Sequence, residues 1–240
     1  MIRRIIQGIA SAFLWCWGLL LFSAILTILI LASIVLRGRA LDALVKFGCR
    51  LMVAALGIRV RIQDLENHEA DTPYIVMMNH VNCFDPLVLY GVFPGRARAI
   101  EEESHFHWPL YGWLITRLGN IPVDRKNMRK SYEALKQAAA RIQQHPEDSF
   151  VVLPEGTRTR NGKLGVFKKG GFLLALESKR PVLPIIQRGS YAIKRKNSWV
   201  IKPGVVELII EKSIPSQAYG PDEVARFSQD VRAVFLKHIE

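Results

Sequence analysis

The distribution of apolar and polar positions along the 240-residue chain first separates an N-terminal segment from the rest. Residues 9–36 are an apolar run without any charged side chain. Because a helix needs about 20 apolar residues to cross the hydrocarbon core of a bilayer, the run predicts a membrane helix that either spans with tilt or re-enters. A secretory signal would have a shorter apolar region and a cleavage site, and the run is long for a core helix. We therefore interpret it as a membrane anchor.

The following segment, residues 40–56, has the periodicity of an amphipathic helix. Leu44, Phe47 and Leu51 recur on one face, and Asp42 and Lys46 lie on the opposite face. Such a helix can lie in a membrane interface or cover a globular domain. The sequence thus predicts a membrane-attachment module in residues 1–57 and one folded domain in residues 58–240.

From residue 58 onward, apolar segments typical of strands alternate with segments of helical periodicity. Strands are predicted at 58–65, 74–79, 97–103, 149–153, 181–189 and 205–212. Helices are predicted at 86–93, 108–119, 128–145, 170–178 and 222–239. This alternation predicts an α/β fold with a single mixed sheet flanked by helices, behind the hydrophobic helical anchor. In such sheets ligands bind where strands end.

Polar residues first interrupt the apolar strand pattern at Asn79 and His80. Four residues separate His80 from Asp85, so the carboxylate can face the imidazole across a turn, fix its tautomer and raise its basicity toward a hydroxyl. Two other interpretations stay open: a structural histidine after a strand, and Asp85 as the N-cap before Pro86 at the first helical position. Cys83 could act as a nucleophile or pack as a small residue.

A second polar cluster follows a later predicted strand, in the sequence PEGTRT. Gly156 lets the backbone approach a ligand closely, and the Arg158 guanidinium can hold phosphate oxygens in bidentate fashion. Glu155 would hold Arg158 in place or accept a hydrogen bond from a ligand hydroxyl. The alternative is a solvated basic loop with a surface ion pair, which also applies to the dipeptide Asp124–Arg125.

The positive charge of the chain is concentrated in one stretch. The formal net charge is +12 at pH 7, and residues 158–202 contain twelve Lys or Arg and a single acid, Glu177. A basic belt can bind nucleic acid, anionic lipid or an acidic substrate. The chain lacks the zinc spacing and aromatic platforms of nucleic-acid-binding proteins, so lipid and phosphate-bearing substrates are favoured. Its three cysteines have no metal-ligand or disulfide spacing, and we expect no metal, no cofactor and no nucleic-acid partner.

Four sequence boxes occur in order behind the anchor, over residues 58–212. They are NHVNCFD, GNIPVDR at 119–125, PEGTRT, and RPVLPII at 180–186. Any one box is a weak signal. In this order and at these separations, they resemble the glycerolipid acyltransferase family, of the bacterial 1-acyl-sn-glycerol-3-phosphate acyltransferase type.

The resemblance implies roles for the matching residues. His80 would be the general base that deprotonates the acceptor hydroxyl, and Asp85 would orient it, which leaves Cys83 a packing role. The second and third boxes would bind the glycerol phosphate through Arg125, Glu155, Gly156, Thr157 and Arg158. The fourth box would shape the apolar acyl site through Val182, Pro184 and Ile185.

The resemblance also implies a reaction and a location. The domain in residues 58–240 would transfer a fatty acyl group from acyl-carrier protein or acyl-coenzyme A to the sn-2 hydroxyl of lysophosphatidic acid. The product would be phosphatidic acid. The domain would lie on the cytoplasmic face of the cytoplasmic membrane, with anionic membrane lipids as further partners.

One departure bears on the acceptor. Many relatives carry a lysine after the first box, where this chain has three acids at positions 101–103. Lys168 or Arg188 could replace that cation. Two alternatives therefore stay open: acyl transfer to a different lysolipid, and a membrane-bound lipid-binding protein that retains the fold without the activity.

Overall fold

The structure, a computed structural model, describes residues 2–123 and 128–239 and begins with two helices. Helix α1 spans Ile2–Val35 and helix α2 spans Gly38–Ala55. Both helices were predicted, but α1 begins before the uncharged run. Among the described residues, α1 alone is long and apolar enough to cross a bilayer, judged by length and composition.

The remainder is an α/β domain with alternating strands and helices. The strands are β1 Ile58–Gln63, β2 Ile75–Met78, β3 Arg96–Glu102, β4 Ile121–Val123, β5 Asp148–Val152, β6 Val182–Arg188 and β7 Gly204–Ile210. The helices are α3 Asp85–Val92, α4 Tyr111–Arg117, α5 Met128–Gln144, α6 Gly170–Ser178, α7 Ser190–Ile193 and α8 Val224–Leu236. The short strand β4 was not among the predicted strands, and the helix predicted at 108–119 is shorter at both ends.

The strands form one seven-stranded mixed sheet in the order β1-β7-β6-β2-β5-β3-β4. Within the described chain, every pairing is parallel except that between β6 and β7. The predicted fold class is thus confirmed. Strand β2 lies in the middle, between β5 and β6, and its four residues are all fully buried. Helices cover both faces of the sheet, which explains why this strand is apolar throughout.

Helix α1 lies along the surface of the domain and is attached to it near both ends. The main-chain N–H of Ile201 donates to the Ser11 hydroxyl over 3.2 Å, and the Arg117 guanidinium donates to the Ser33 carbonyl over 2.7 Å. Leu21 and Ile25 pack against the hydrophobic core between these points. Most of the outward-facing apolar side chains of α1 remain exposed, so the helix presents a long apolar face away from the domain.

Helix α2 connects α1 to the sheet. Gly48 permits a close approach to α1, because a Cβ at this position would lie 2.8 Å from a methyl group of Ile25. Near the start of α2, Asp42 receives two hydrogen bonds from Arg98 of β3, whose guanidinium also contacts Asp148 of β5 over 3.0 Å. Buried ion pairs add little net stability but specify one arrangement, so this network fixes α2 relative to the sheet.

Candidate active site

The catalytic pair predicted from the sequence forms where β2 leaves the sheet. Met78, the last residue of β2, pairs with Ile185 of β6, and the chain then turns into a loop before α3. In this loop His80 Nδ1 lies 2.8 Å from Asp85 Oδ2. The carboxylate is fully buried, whereas the imidazole is 21% exposed. The sequence spacing therefore does bring the two side chains together, with the imidazole accessible.

The Asp85 carboxylate faces the loop residues that precede it in the chain. It accepts hydrogen bonds from the main-chain N–H groups of Val81 over 2.7 Å and Asn82 over 3.0 Å, and makes no side-chain cap of α3. The N-cap interpretation of Asp85 is thus wrong: the Asp-Pro pair starts the helix, but the preceding loop and His80 use both carboxylate oxygens. Asn82 instead stabilises the turn by accepting from the N–H of Phe84.

Glu155, predicted to contact a phosphate, is buried beneath the loop that follows it. Its Oε1 accepts from the main-chain N–H of His80, and its Oε2 accepts from the N–H of Gly165, each over 2.7 Å. The side chain is 5% exposed, and this burial raises the pKa of its carboxyl although both amides lower it. Its carboxyl group thus connects two loops, and both of its oxygens are already used by main-chain amides.

The rest of the PEGTRT box lies at the surface next to His80. Gly156 adopts a positive φ of 64°, and a Cβ at this position would lie 2.9 Å from the Lys168 ammonium. Thr157 accepts a hydrogen bond from Lys196 over 2.8 Å. Arg158 is half-buried and makes no guanidinium hydrogen bond to any described residue. Arg125, predicted to join this group, lies outside the described residues.

An apolar cavity of about 630 Å³ opens beside His80 and extends along β3. His80 and Gly156 lie in its wall. Helices α1, α2, α3 and α4 and strands β2, β3 and β5 all contribute to the wall, and its apolar residues include Leu26, Leu29, Met52, Met78, Leu87, Leu114 and Val151. A volume of this size is typical of small-molecule sites. The cavity can hold an aliphatic chain.

The fourth box does not reach this cavity. Val182, Pro184 and Ile185 belong to β6, are fully buried, and are absent from the cavity wall. Ile185 is the strand partner of Met78, which does line the cavity. The apolar pattern of the fourth box therefore indicates a central strand. These residues can affect the shape of the cavity only through their contacts with β2.

Comparison with known proteins places this geometry in a family. The family model described as Acyltransferase matches residues 59–188, which is more than half of the chain and includes His80, Glu155 and β6. The chain belongs to the Acyltransferase family. It is 30% identical to a 1-acyl-sn-glycerol-3-phosphate acyltransferase of Pseudomonas aeruginosa over 191 residues, covering 78% of this chain and 72% of that protein.

Two further relatives differ in how much of their length is matched. An enzyme of the same name from Cocos nucifera is 25% identical over 190 residues, and the match covers 79% of this chain but 61% of that protein. The crystal structure of the 1-acyl-sn-glycerophosphate acyltransferase from Thermotoga maritima superimposes with a TM-score of 0.80 at 23% identity, covering 98% of this chain and 99% of that one. This likeness confirms the fold, including the two N-terminal helices.

Glu101, the first of the three acids at the position of the expected lysine, is held by its neighbours. Glu101 lines the cavity and accepts hydrogen bonds from Asn120 over 2.8 Å and Tyr111 over 3.2 Å, and His105 lies at 3.2 Å. Burial, followed by the charge of Glu101, raises the pKa of the Tyr111 phenol. Glu101 thus belongs to a polar network in the cavity wall, for which the sequence offered no signal.

Cys83 lies in the cavity wall without forming a pair with His80. His80 Nδ1 is used by Asp85, and burial raises the pKa of the Cys83 thiol despite the nearby charges of Lys194 and Arg158. A thiol with a raised pKa is a poor nucleophile at neutral pH. Cys83 is exposed at the cavity wall, and the geometry disfavours its role as a nucleophile without showing a packing role for it.

Proposed function

We propose that this acyltransferase transfers a fatty acyl group from a thioester to the sn-2 hydroxyl of lysophosphatidic acid, giving phosphatidic acid. The observation that carries the proposal is the His80–Asp85 pair at the mouth of an apolar cavity. No described residue bonds to His80 Nε2, so this nitrogen is available to an acceptor hydroxyl. The names of the relatives from Pseudomonas aeruginosa and Cocos nucifera support the same substrate.

The chemistry follows from the protonation of the imidazole. His80 Nε2 takes the hydroxyl proton while Asp85 holds Nδ1–H and stabilises the imidazolium. The acceptor oxygen attacks the thioester carbonyl to form a tetrahedral intermediate. When this collapses, the carbon–sulfur bond breaks, and the imidazolium returns its proton to the departing thiolate. No acyl-enzyme is needed, and the donor can be acyl-carrier protein or acyl-coenzyme A.

The phosphate of the acceptor would be held by cations on the other side of His80. Arg158 and Lys168 lie beside Gly156 and Thr157 of the PEGTRT box, and Arg125 is proposed to join them. Because its carboxylate is occupied by two main-chain amides, we assign Glu155 the role of positioning this loop in place of a phosphate contact. The acyl chain would occupy the cavity between α1 and β3.

The protein is further proposed to lie at a cytoplasmic membrane, with the catalytic domain on the cytoplasmic face. The exposed apolar face of α1 supports insertion into lipid. Since α1 is attached to the domain near Ser11 and near Ser33, it is better suited to lie beside the domain within one leaflet than to cross the bilayer away from it. The basic loop after α7 contacts α1 through Trp199 and Trp15, and would attract anionic lipid headgroups.

The test is an acyl-transfer assay on purified protein in mixed micelles, with lysophosphatidic acid and neutral or zwitterionic lysolipids as acceptors and both thioester types as donors. His80→Ala should abolish transfer while preserving the circular dichroism spectrum. His145→Ala, which removes an exposed imidazole just before β5, should remain active. An active His80→Ala enzyme would refute the general-base role.

A different lysolipid acceptor is the second candidate, favoured by the acids at the cavity. Glu101 and Glu102 both line it, and their negative charge disfavours an anionic headgroup on that side of His80. Higher kcat/KM with a zwitterionic lysolipid than with lysophosphatidic acid would select this alternative. Lipid binding without transfer to any acceptor would select the non-enzymatic one.

A further inference from the structure

A buried amide that sequence analysis did not single out lies against the proposed catalytic pair. Gln187, near the end of β6, donates from its side-chain Nε2 to Asp85 Oδ1 over 2.7 Å. Gln187 is 2% exposed and Asp85 is fully buried. The contact joins residues that are 102 positions apart in the chain.

The main chain of Gln187 is fixed by a side chain from the neighbouring strand. Asn79 Nδ2 donates to the Gln187 carbonyl over 3.0 Å, and the Gln187 N–H donates to Asn79 Oδ1 over 2.7 Å. Asn79 thereby replaces the strand partner that β6 loses when β2 ends at Met78. On its other side, Gln187 still pairs with Leu208 of β7. The backbone that carries the Gln187 side chain is thus held from two directions.

The two oxygens of Asp85 have different surroundings. Oδ2 contacts His80 Nδ1 and accepts from the N–H groups of Val81 and Asn82. Oδ1 accepts a hydrogen bond of 2.7 Å from Gln187 Nε2. It also accepts a longer one of 3.1 Å from the Asn82 N–H, which donates to both carboxylate oxygens. Gln187 is therefore the only side chain among the described residues that holds Oδ1, and it fixes the plane of the carboxylate relative to the imidazole.

The carbonyl oxygen of the Gln187 amide shows which way the amide is oriented. Gln187 Oε1 is buried without a hydrogen-bond partner among the described residues, although such an atom is unfavourable. Turning the amide over would place this oxygen against the carboxylate. The unpaired oxygen is tolerated because the charged carboxylate needs the Nε2–H donor.

From this arrangement we infer that Gln187 is a positioning residue for acyl transfer, which holds Asp85 and thereby sets how strongly His80 binds the transferred proton. This inference rests on the proposed function of the His80–Asp85 pair. A carboxylate that loses a hydrogen-bond donor has more negative charge available to an adjacent imidazolium. Removal of the donor should therefore make His80 harder to deprotonate and less precisely oriented.

The test uses two nearly isosteric substitutions, one that removes the donor to Asp85 and one that replaces it by a protonated carboxyl group. Gln187→Met removes the donor and keeps the side-chain length, and Gln187→Glu adds a second carboxyl group. In the pH profile of kcat/KM for acyl transfer to lysophosphatidic acid, the acidic limb should move upward by about half to one pH unit in Gln187→Met. It should stay near the wild-type position in Gln187→Glu, because two buried carboxyl groups at this distance cannot both ionise and the protonated one donates to Asp85 in place of the amide. The value of kcat should fall in Gln187→Met while KM changes little.

The matched control is Asn67→Leu. Asn67 also donates from its side-chain amide to a strand, at the Ile210 carbonyl over 2.8 Å, but it does not contact the catalytic pair. This variant should lose thermal stability without any shift of the acidic limb. If the acidic limb of Gln187→Met does not move, as in this control, Gln187 has a structural role only and the inference is overturned.

A second measurement separates this inference from the proposed function. NMR titration of the His80 imidazole in isotope-labelled protein, assigned with His80→Ala, reports the protonation midpoint without turnover. If the wild type transfers no acyl group, the proposed function fails, yet the midpoint should still be higher in Gln187→Met than in the wild type and in Gln187→Glu. An unchanged midpoint overturns the inference even in an active enzyme.

Discussion

Substitution of Glu155 by Gln distinguishes a positioning carboxylate from a substrate-binding one. The change keeps the shape of the side chain but replaces one acceptor oxygen by an NH₂ group, which must face the N–H of His80 or of Gly165. A buried N–H without a partner costs about 1–3 kcal/mol. Burial raises the pKa of the Glu155 carboxyl, so replacing this buried acid by a neutral amide offsets part of that cost. We therefore expect the free energy of unfolding to fall by about 1–2 kcal/mol.

In a domain of this size, such a loss lowers Tm by about 2–8 °C. The larger effect should be on turnover, since Glu155 fixes the main chain that carries the proposed base. A displacement of a reacting group by about 1 Å can reduce turnover by about a hundredfold. We therefore expect Glu155→Gln to lower kcat by about tenfold to a hundredfold, with nearly unchanged KM for lysophosphatidic acid.

The assay is steady-state acyl transfer together with thermal unfolding in the same detergent. Glu177→Gln is the matched control, because Glu177 is exposed on α6 and should change neither quantity. If Glu155→Gln instead raised KM for the phosphate-bearing acceptor while kcat and Tm stayed at wild-type values, Glu155 would contact substrate and the positioning role would be refuted.

Three further predictions concern neighbouring residues. Arg158→Ala should raise KM for lysophosphatidic acid about tenfold, as expected for a lost charged hydrogen bond, and an equal rise with a neutral acceptor would contradict phosphate binding. Cys83→Ala should retain most activity, and an inactive Cys83→Ala enzyme would support a thiol mechanism. Alkylation of Cys83 in the wild type should be slow at neutral pH, because desolvation raises the pKa of the thiol. Gly156→Ala should destabilise the fold by about 1–2 kcal/mol, because a non-glycine residue is strained at positive φ, and a stability equal to wild type in thermal unfolding would show that the loop relaxes.

The parts of the site that could be predicted from sequence are those held together by short stretches of chain. His80 and Asp85 are five residues apart, and one turn suffices to bring them together. The single mixed sheet followed from the alternation of apolar strands and periodic helices, although the short strand β4 did not. Both features depend on local spacing, which the sequence displays directly.

The parts that could not be predicted depend on which atoms face each other across the sheet. The contact of Gln187 with Asp85 exists only because β6 lies next to β2 in the strand order. Glu155 resembled a ligand contact because a carboxylate beside an arginine fits either role, and only the two main-chain amides at its oxygens decide between them. The apolar pattern of Val182, Pro184 and Ile185 indicates burial but does not tell whether a strand faces a cavity.

The position of His80 fits an amphiphilic acceptor better than it fits a water-soluble one. His80 and Gly156 lie in the wall of the apolar cavity that α1 helps to form, and the Lys168 ammonium lies next to Gly156. In a lysophospholipid, the free hydroxyl is likewise placed between the acyl chain and the charged headgroup. An acceptor that satisfies both environments must therefore present its hydroxyl at the boundary, where His80 Nε2 is accessible. A water-soluble acceptor would gain nothing from the exposed apolar face of α1, whereas an amphiphilic one can reach His80 from the membrane.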